Sequence, residues 1–343
     1  MVRKPNKFEK TIISTRMRLA RNLESYPFPS RQTERQAEEV AAIVRNALSH
    51  LDEGWVQYDM RVIGKAKAML LQEQHLISPA LVKNPCGWAF ISPDETVSVM
   101  VNEEDHLREQ YIVKGFELVS AYERVCSLDD GIGGYVGFAY DKKLGYLTAC
   151  PSNVGTGLRA SVMMFLPALE RKNAIGEFLK EWSDCALTVR GVFGEGTASE
   201  GHRYQISNDK TLGLTEMEIL DYMQAAISQI AEAEETEREK LVRENGLQLR
   251  DEALRAYGIL TNCARLEYKE MRNLLTQVKL GLAFGFFRIR KNDPYVLDAL
   301  IDELRPYSFC ESHELFESSQ EERDMRRAEV LRWMLPRLVA RTD

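Results

Sequence analysis

The spacing of apolar residues predicts an amphipathic helix near the start of the chain. Between residues 33 and 50, apolar residues recur every three or four positions, at Ala37, Val40, Ala41, Val44, Ala47 and Leu48. This spacing places them on one side of a helix. We therefore expect a helix over residues 33–50 that packs on the core through this side.

Residues 55–215 combine strand-like runs with helical patterns. Runs rich in β-branched and aromatic residues predict strands in TVSVMV, GYVGFAY, LGYLTAC, CALTVRGVF and HRYQIS. In the first run, three valines alternate with Ser98 and Met100, which is typical of a strand with one buried face. Helical patterns lie in REQYIVKGFELVSAYERVCSL and GLRASVMMFLPALERKN. The mixture predicts an α+β fold, with a largely antiparallel sheet flanked by helices.

A long helix is predicted after this region. Thr215 and Glu218 form a capping box at its start, and Gly246 is expected to end it. Its first half carries an apolar stripe of Ile219, Met223, Ile227 and Ile230. Its second half is charged, and the i,i+4 pairs Glu234–Arg238 and Glu239–Arg243 are typical of a solvated face.

Length, composition and charge suit a globular protein of two domains. The chain has 343 residues, 44% hydrophobic and 28% charged, with a net charge of −7. Because helical patterns dominate from Gly246 onward, we predict domains over residues 1–245 and 246–343. The acidic charge argues against nucleic-acid binding, and no segment resembles a signal peptide or a membrane span. We expect a cytoplasmic protein whose six scattered cysteines are reduced thiols.

Five arginines occur where a sheet domain does not need them: Arg16, Arg18, Arg108, Arg159 and Arg190. Any one of them alone is more commonly a surface residue. Several guanidinium groups converging on one point would suit a polyphosphate, because each can bind phosphate oxygens in bidentate fashion. Walker A, GxGxxG, HRD and DFG motifs are missing, so a nucleotide here would have to be held by arginines.

Acidic residues supply the complementary chemistry. The segment NEEDHLR places three carboxylates, Glu103–Asp105, at the end of a strand-like run, and Glu195 lies in a second loop. A lone glutamate in a loop is usually just solvated. Two carboxylates, however, can clamp a planar guanidinium, and one of them can take its proton as it is phosphorylated. Cys150 could lie beside such a clamp as a thiolate, or simply be a small buried residue.

Four sequence blocks in this order resemble the signatures of the phosphagen (ATP:guanidino) kinases: STRMRLARNL, NEEDHLR, CPSNVGTGLRASV and RGVFGEG. The resemblance to the bacterial protein-arginine kinases of this family is closer, through LGYLTACPSNVGTGLRASVMMFLPAL and QISNDKTLG, and it covers essentially the whole chain. It implies a glutamine-synthetase-like catalytic domain, with ATP and Mg²⁺, followed by a smaller helical domain.

The resemblance implies a role for individual residues. Those expected to bind ATP are Ser14, Thr15, Arg16, Met17, Arg18, His75, Arg108, Arg159, Ala160, Ser161, Val162, Met163, Arg190, Gly191, Val192, Phe193, Gly194 and Glu195. Glu104 would be the catalytic base, Glu195 the second guanidinium clamp, and Cys150 the thiol beside the guanidinium. Glu103 would reach Mg²⁺ only through water, with the ion bound mainly by ATP oxygens.

The acceptor implied by the resemblance is an exposed arginine side chain of a protein. Phosphagen kinases for small substrates carry a helical N-terminal domain, whereas only 13 residues precede STRMR, so we expect a more open site. A kinase for free arginine or another small guanidino compound is one alternative, and an inactive phosphoarginine-binding module is another. The unusual sequence GEGTASEGH places Glu200 and His202 near Glu195, the expected second guanidinium clamp, where they could alter the choice of acceptor.

The last helical pattern, SQEERDMRRAEVLRWMLPRL, begins with a capping box of Ser319 and Glu322. Its apolar seam comprises Met325, Ala328, Leu331, Leu335 and Leu338. By spacing alone, its arginines suggest a solvated basic face. RDMRRA also fits the RDxxRA motif of protein-arginine kinases, which implies an allosteric phosphoarginine pocket of Arg323, Asp324, Arg327 and Ala328.

The resemblance also implies partners. It predicts a homodimer through the C-terminal domain, a zinc-binding activator protein, a heat-shock repressor, and a Clp unfoldase–protease that degrades the marked proteins. A role in the stress response would follow.

Overall fold

A computed structural model of the chain describes residues 8–51, 54–176, 187–191, 201–290 and 293–342. The strands are β1 (Ile12–Arg21), β2 (Val56–Asp59), β3 (Trp88–Ile91), β4 (Val97–Val101), β5 (Leu107–Lys114), β6 (Tyr140–Asp141), β7 (Gly145–Tyr146), β8 (Leu158–Phe165), β9 (Leu187–Gly191), β10 (Arg203–Asn208), β11 (Phe287–Ile289) and β12 (Val339–Arg341). The helices are α1 (Glu34–Ser49), α2 (Lys65–Glu73), α3 (Pro79–Lys83), α4 (Leu118–Gly133), α5 (Pro167–Arg171), α6 (Glu216–Leu260), α7 (Tyr268–Ala283), α8 (Val296–Glu303), α9 (Pro306–Ser312) and α10 (Gln320–Leu338).

Eight strands form one antiparallel sheet in the order β2-β3-β4-β5-β1-β8-β10-β9. Successive side chains of the central strand β1 point to opposite faces. Met17 and Leu19 are buried against α4 and α6 on one face, while Arg16 and Arg18 point to the other. The predicted α+β class, with a largely antiparallel sheet flanked by helices, is confirmed.

The first predicted helix is confirmed as α1. Its capping box joins Thr33 and Gln36, and all six predicted core residues are buried. The predicted half-buried strand is found as β4, but it is buried on both faces. Val99 packs in the cluster containing α1, and Met100 packs in the cluster containing α2 and α3. Helices therefore cover both faces at this edge of the sheet.

Two predicted helices begin as strands. The segment RASVMMF lies in β8 and is followed only by the short helix α5, while REQYIVK lies in β5 ahead of α4. In β8 the error has a physical cause: Met163 lies between the buried residues Val162 and Met164 although it faces the other side of the sheet, so this run lacks the period of two that identifies a strand. The runs GYVGFAY and LGYLTAC contain only the two-residue strands β6 and β7.

The long helix α6 begins at its predicted capping box, and its predicted stripe is buried. Beside the predicted end at Gly246 the structure has a kink: the backbone leaves helical geometry at Asn245 (φ −131°, ψ 23°), and a second helical stretch continues to Leu260. The Glu234–Arg238 pair is not solvated. Glu234 is fully buried and accepts hydrogen bonds from the backbone amides at the start of α5.

Where the structure describes it, the C-terminal part is helical except for the small β11–β12 sheet, which the sequence did not predict. The capping box of Ser319 and Glu322 is confirmed at α10. Four members of its predicted seam are buried, whereas Met325 is 48% exposed. Within the described ranges, no helix is both long and apolar enough to cross a membrane.

Candidate active site

A cleft of about 270 Å³ opens on the sheet face that carries the arginines. Neighbouring strands each contribute one arginine: Arg18 from β1, Arg108 from β5 and Arg159 from β8. Arg159 lies directly opposite Arg18 in the β1–β8 register. The loop after β4 and the turn after β7 complete the lining, so that Glu104 and Cys150 face the same cleft. The structure thus brings together residues that lie far apart in the sequence.

Arg16 lies on the same face, two residues before Arg18, and its Nη2 donates to Gln205 Oε1 at 2.8 Å. Burial, followed by the positive charges of Arg108 and Arg159, lowers the pKa of Arg16 to about 9. Crowded guanidinium groups repel one another, and an anion carrying several charges offsets that repulsion. The donor set therefore fits a polyphosphate.

The three carboxylates of the loop after β4 have different environments. Glu103 Oε1 lies 2.7 Å from Arg108 Nη1. Asp105 is buried, and its Oδ1 accepts hydrogen bonds from Asn22 Nδ2 and from the backbone N–H of Ala149, each at 2.6 Å. Glu104, by contrast, is exposed. The three carboxylates therefore do not form one cation site. Glu103 and Asp105 are bound by other groups of the protein, whereas Glu104 is exposed to the cleft.

The environment of Glu104 suits a general base. Partial burial, followed by the negative charges of Asp105 and Glu103, raises its pKa, while Arg108 and a hydrogen bond with Cys150 act in the opposite direction. A carboxylate with a raised pKa holds a proton more readily once it has accepted one. The hydrogen bond from Ala149 to Asp105 fixes the neighbouring Cys150 beside this group. Cys150 Sγ lies 3.1 Å from Ser152 Oγ.

His75 lies outside the arginine cleft, in a second cavity of about 260 Å³ between the sheet domain and the C-terminal helices. Its carbonyl oxygen accepts from Gln110 Nε2 at 2.8 Å, and its Nε2 is 3.3 Å from Arg305 Nη1. Loss of solvation, then the charges of Arg305 and Arg16, lowers the pKa of His75 to about 3. The imidazole is therefore neutral at physiological pH.

Several residues predicted to bind ATP present only their backbone to the cleft face. The side chains of Met17, Ala160 and Val162 are buried in the core on the other face. Thr15 is also buried, and its hydroxyl donates to the carbonyl oxygen of Gly115. The remaining described members of the predicted set are Ser14, Ser161 and Met163 on β1 and β8, and Arg190 and Gly191 on β9.

The second predicted clamp, Glu195, lies outside the described residues, as do Val192, Phe193, Gly194 and Glu200. His202 is described, and its Nδ1 lies 2.9 Å from Glu170 Oε2. In the described part of the chain, no group of three or more His, Cys, Asp or Glu residues could hold a metal ion.

The RDMRRA motif does not form a solvated basic face. Arg327 is buried, donates to Asp324 Oδ1 at 2.8 Å and to the Leu266 carbonyl oxygen at 3.0 Å, and lies over the Phe309 ring. Arg323 is half-buried and donates to the carbonyl oxygens of the preceding loop. Ala328 is part of the hydrophobic core.

Two polar residues of the cleft face were missed by the sequence analysis. Gln110 shares a face with Arg108 on β5, and Gln205 bonds to Arg16 from β10. The signal for Gln110 was its position two residues after Arg108, and the signal for Gln205 was its position across the sheet from Arg16. These signals can be used only when the strands are known, because side chains alternate between the two faces of a strand.

Comparison with known proteins places the chain in a family. Residues 38–237 match the C-terminal catalytic domain of ATP:guanido phosphotransferases, and residues 246–342 match the C-terminal domain of the protein-arginine kinase McsB. The chain is similar to the taurocyamine kinase structure from Schistosoma mansoni with bound transition-state analogue components. That similarity has a TM-score of 0.60 and 29% identity, and covers 67% of this chain and 33% of that one.

Curated relatives match nearly the full length. The protein-arginine kinase of Caldanaerobacter subterraneus is 39% identical, over 93% of this chain and 95% of the relative. That of Halothermothrix orenii is 41% identical, over 94% and 93%. These matches confirm the resemblance that the four signature blocks indicated. The chain is a kinase that belongs to the protein-arginine kinases of the ATP:guanido phosphotransferase family.

Proposed function

We propose that this protein transfers the γ-phosphoryl group of ATP to the guanidinium of arginine side chains in proteins. The observation that carries the proposal is the placement of exposed Glu104, with its raised pKa, in one cleft with Arg18, Arg108 and Arg159. The cationic side of this cleft fits a triphosphate, and the acid and thiol on the other side fit a guanidinium. The names of the full-length relatives support a protein acceptor.

In this proposal each side of the cleft has a separate task. Arg16, Arg18, Arg108, Arg159 and Arg190 bind the phosphates and stabilise charge on the transferring group. Residues 14–18, 159–163 and 190–195, together with His75, complete the nucleotide site. Glu103 would reach a bound Mg²⁺ through water, and the ion, held mainly by ATP oxygens, would neutralise phosphate charge.

Glu104 removes a proton from the attacking guanidinium nitrogen, which frees its lone pair. The nitrogen–phosphorus bond then forms as the bond from the γ-phosphorus to the bridging oxygen breaks, and ADP leaves. Glu195 and Cys150 hold the acceptor guanidinium in line. Because Glu104 is exposed, an arginine on a protein surface can reach it without being enclosed.

The C-terminal region has the regulatory role in this proposal. Residues 1–245 form the catalytic domain, and residues 246–343 dimerise and sense phosphoarginine. Arg323, Asp324, Arg327 and Ala328 form the allosteric site, which already contains a buried ion pair against an aromatic ring. A bound phosphoryl group would add its negative charge beside two guanidinium groups.

The cellular context follows from family membership alone. We propose a cytoplasmic stress-response enzyme that phosphorylates arginines of a heat-shock repressor and of proteins destined for a Clp unfoldase–protease. A zinc-binding protein would act as its activator.

A phosphotransfer assay with Mg-ATP tests the central proposal. An unfolded arginine-rich protein and free arginine are offered in parallel, and acid-labile phosphate is located by mass spectrometry at neutral pH. We expect phosphoarginine on the protein, lost in Glu104→Gln. Label on free arginine alone would instead make this a kinase for a small guanidino compound.

A further inference from the structure

Helices α2 and α9 cap each other across the boundary between the sheet domain and the C-terminal helices. Glu73, the last residue of α2, accepts hydrogen bonds from the backbone N–H groups of Tyr307 (3.1 Å) and Ser308 (2.8 Å) and from the Ser308 hydroxyl (2.9 Å). In return, Arg305 Nη1 donates to the carbonyl oxygen of Glu73. Each helix end thus receives partners for groups that have none within the helix.

This junction adjoins His75, two residues beyond the end of α2. The His75 backbone has a φ of 62°, a left-handed conformation that few non-glycine residues adopt. The Arg305 guanidinium that contacts Glu73 also lies 3.3 Å from His75 Nε2. Since a guanidinium can only donate, Nε2 acts as the acceptor and the ring proton is on Nδ1. Arg305 therefore fixes both the ring and the helix end that precedes it.

The same histidine is tied to the phosphate-binding face of the sheet. Its carbonyl oxygen accepts from Gln110, which lies two residues after Arg108 on β5 and on the same face. The path from α9 to the arginine face thus consists of direct contacts: Glu73 and Arg305, then His75, then Gln110. The Arg305 side chain is only 13% exposed, so water competes little for these bonds.

We propose that Glu73 and Arg305 are positioning residues for the nucleotide, through which the C-terminal part of the chain completes the ATP site of the sheet domain by holding His75. This inference rests on the proposed function, in which His75 and the β5 arginine contact ATP. It adds that nucleotide affinity depends on Arg305, Tyr307 and Ser308. These residues lie in the region that matches the C-terminal domain, outside the region that matches the catalytic domain.

Steady-state kinetics and binding on the full chain distinguish positioning from simple attachment of the two parts. Glu73→Gln and Arg305→Lys each weaken one charged hydrogen-bonding group, so we expect the KM for ATP and the Kd for Mg-ADP to rise about fivefold to tenfold. The KM for the acceptor protein and kcat should stay within about twofold, because charges at the γ-phosphoryl are unaffected. Lys67→Ala is the matched control, since Lys67 Nζ contacts Glu311 across the same junction through an exposed ion pair.

A fall in melting temperature with an unchanged Kd for Mg-ADP would overturn the proposal, because it would mean that the junction only attaches the two parts. Equal increases in KM for ATP and for acceptor would overturn it as well. Mg-ADP binding, measured by calorimetry, requires no acceptor. A failure of protein-arginine phosphorylation therefore remains distinguishable from a failure of nucleotide positioning.

Discussion

Arg108 Nη1 lies 2.7 Å from the carboxylate of Glu103, five residues earlier in the chain. Burial would raise the pKa of Glu103, but Arg108 and local hydrogen bonds outweigh it, and the pKa is lowered. The pKa of the adjacent Glu104 is raised. Opposite pKa shifts in neighbouring acids support the two roles proposed for them, Glu103 as the carboxylate that stays ionised and Glu104 as the proton acceptor.

Replacing Glu104 should abolish most of the chemistry while sparing nucleotide binding. Glu104→Gln keeps the shape but cannot accept a proton, so we expect kcat to fall by about 10²–10⁴-fold. The Kd for Mg-ADP should change little, because the arginines remain. Glu103→Gln is the matched comparison one residue away and should retain more activity. Equal loss in both variants would contradict the division of roles.

The pH profile should report the raised pKa of Glu104. A base must be deprotonated to act, so kcat/KM falls as the pH drops through that pKa, at a higher pH than for an ordinary glutamate. Asp105→Asn removes a negative charge, yet its Oδ1 can still accept from Asn22 and Ala149. We expect the acid limb to move to lower pH in this variant. An unmoved limb would assign it to another group.

Local sequence signals predicted an element correctly where the signal is typical of only one kind of structure. The capping boxes begin α6 and α10 where Thr215 and Ser319 predict them, and the apolar stripe of α1 is buried throughout. Strand β8 resembles a helix in sequence because Met163 lies between the buried residues Val162 and Met164 although it faces the other side of the sheet, which removes the alternation that identifies a strand. Beside Gly246 the helix is kinked at Asn245 and then resumes, because a glycine weakens a helix without preventing it.

The acidic cluster beside the cleft was predictable as a set of residues but not as an arrangement. In the sequence, residues Glu103–Asp105 form one acidic cluster. In the structure, Arg108 pairs with Glu103, and Asn22 and Ala149 donate to Asp105, so that Glu104 alone is left exposed to the cleft. Asn22 lies 83 residues from its partner, and Arg305 lies 232 residues from the Glu73 carbonyl that it contacts. Such pairings depend on chain topology, which hydrophobic spacing does not specify.

The buried pair on α6 should be far more important for stability than an exposed pair on the same helix. Glu234→Ala leaves Arg238 buried without its partner, and it also removes the acceptor for the first amides of α5. We expect a loss of about 3–5 kcal/mol in the free energy of unfolding. Asp251→Ala breaks the exposed i,i+4 pair with Arg255 and should cost less than about 1 kcal/mol. Chemical denaturation of both variants measures the difference.

Within the RDMRRA motif, Arg323 and Arg327 should behave differently when truncated. Arg327→Ala leaves buried Asp324 without its ion pair, so we expect the melting temperature to fall together with phosphoarginine binding. Arg323 is half-buried and contacts only carbonyl oxygens of the preceding loop among its described hydrogen bonds. Arg323→Ala should therefore weaken binding of free phosphoarginine about tenfold, through loss of a charge-assisted bond, with little change in melting temperature.

Arg326 provides the control for this comparison, because it is exposed and pairs only with Glu329 among its described ion pairs. Calorimetry with free phosphoarginine should give Arg326→Ala the same Kd as the unmodified chain. Equal weakening in Arg323→Ala and Arg326→Ala would indicate a diffuse attraction to the basic helix. If the pocket is specific, the Kd for phosphoarginine should rise in Arg323→Ala and not in Arg326→Ala. The reason is that salt screens the exposed charge of Arg326 and screens a half-buried guanidinium much less.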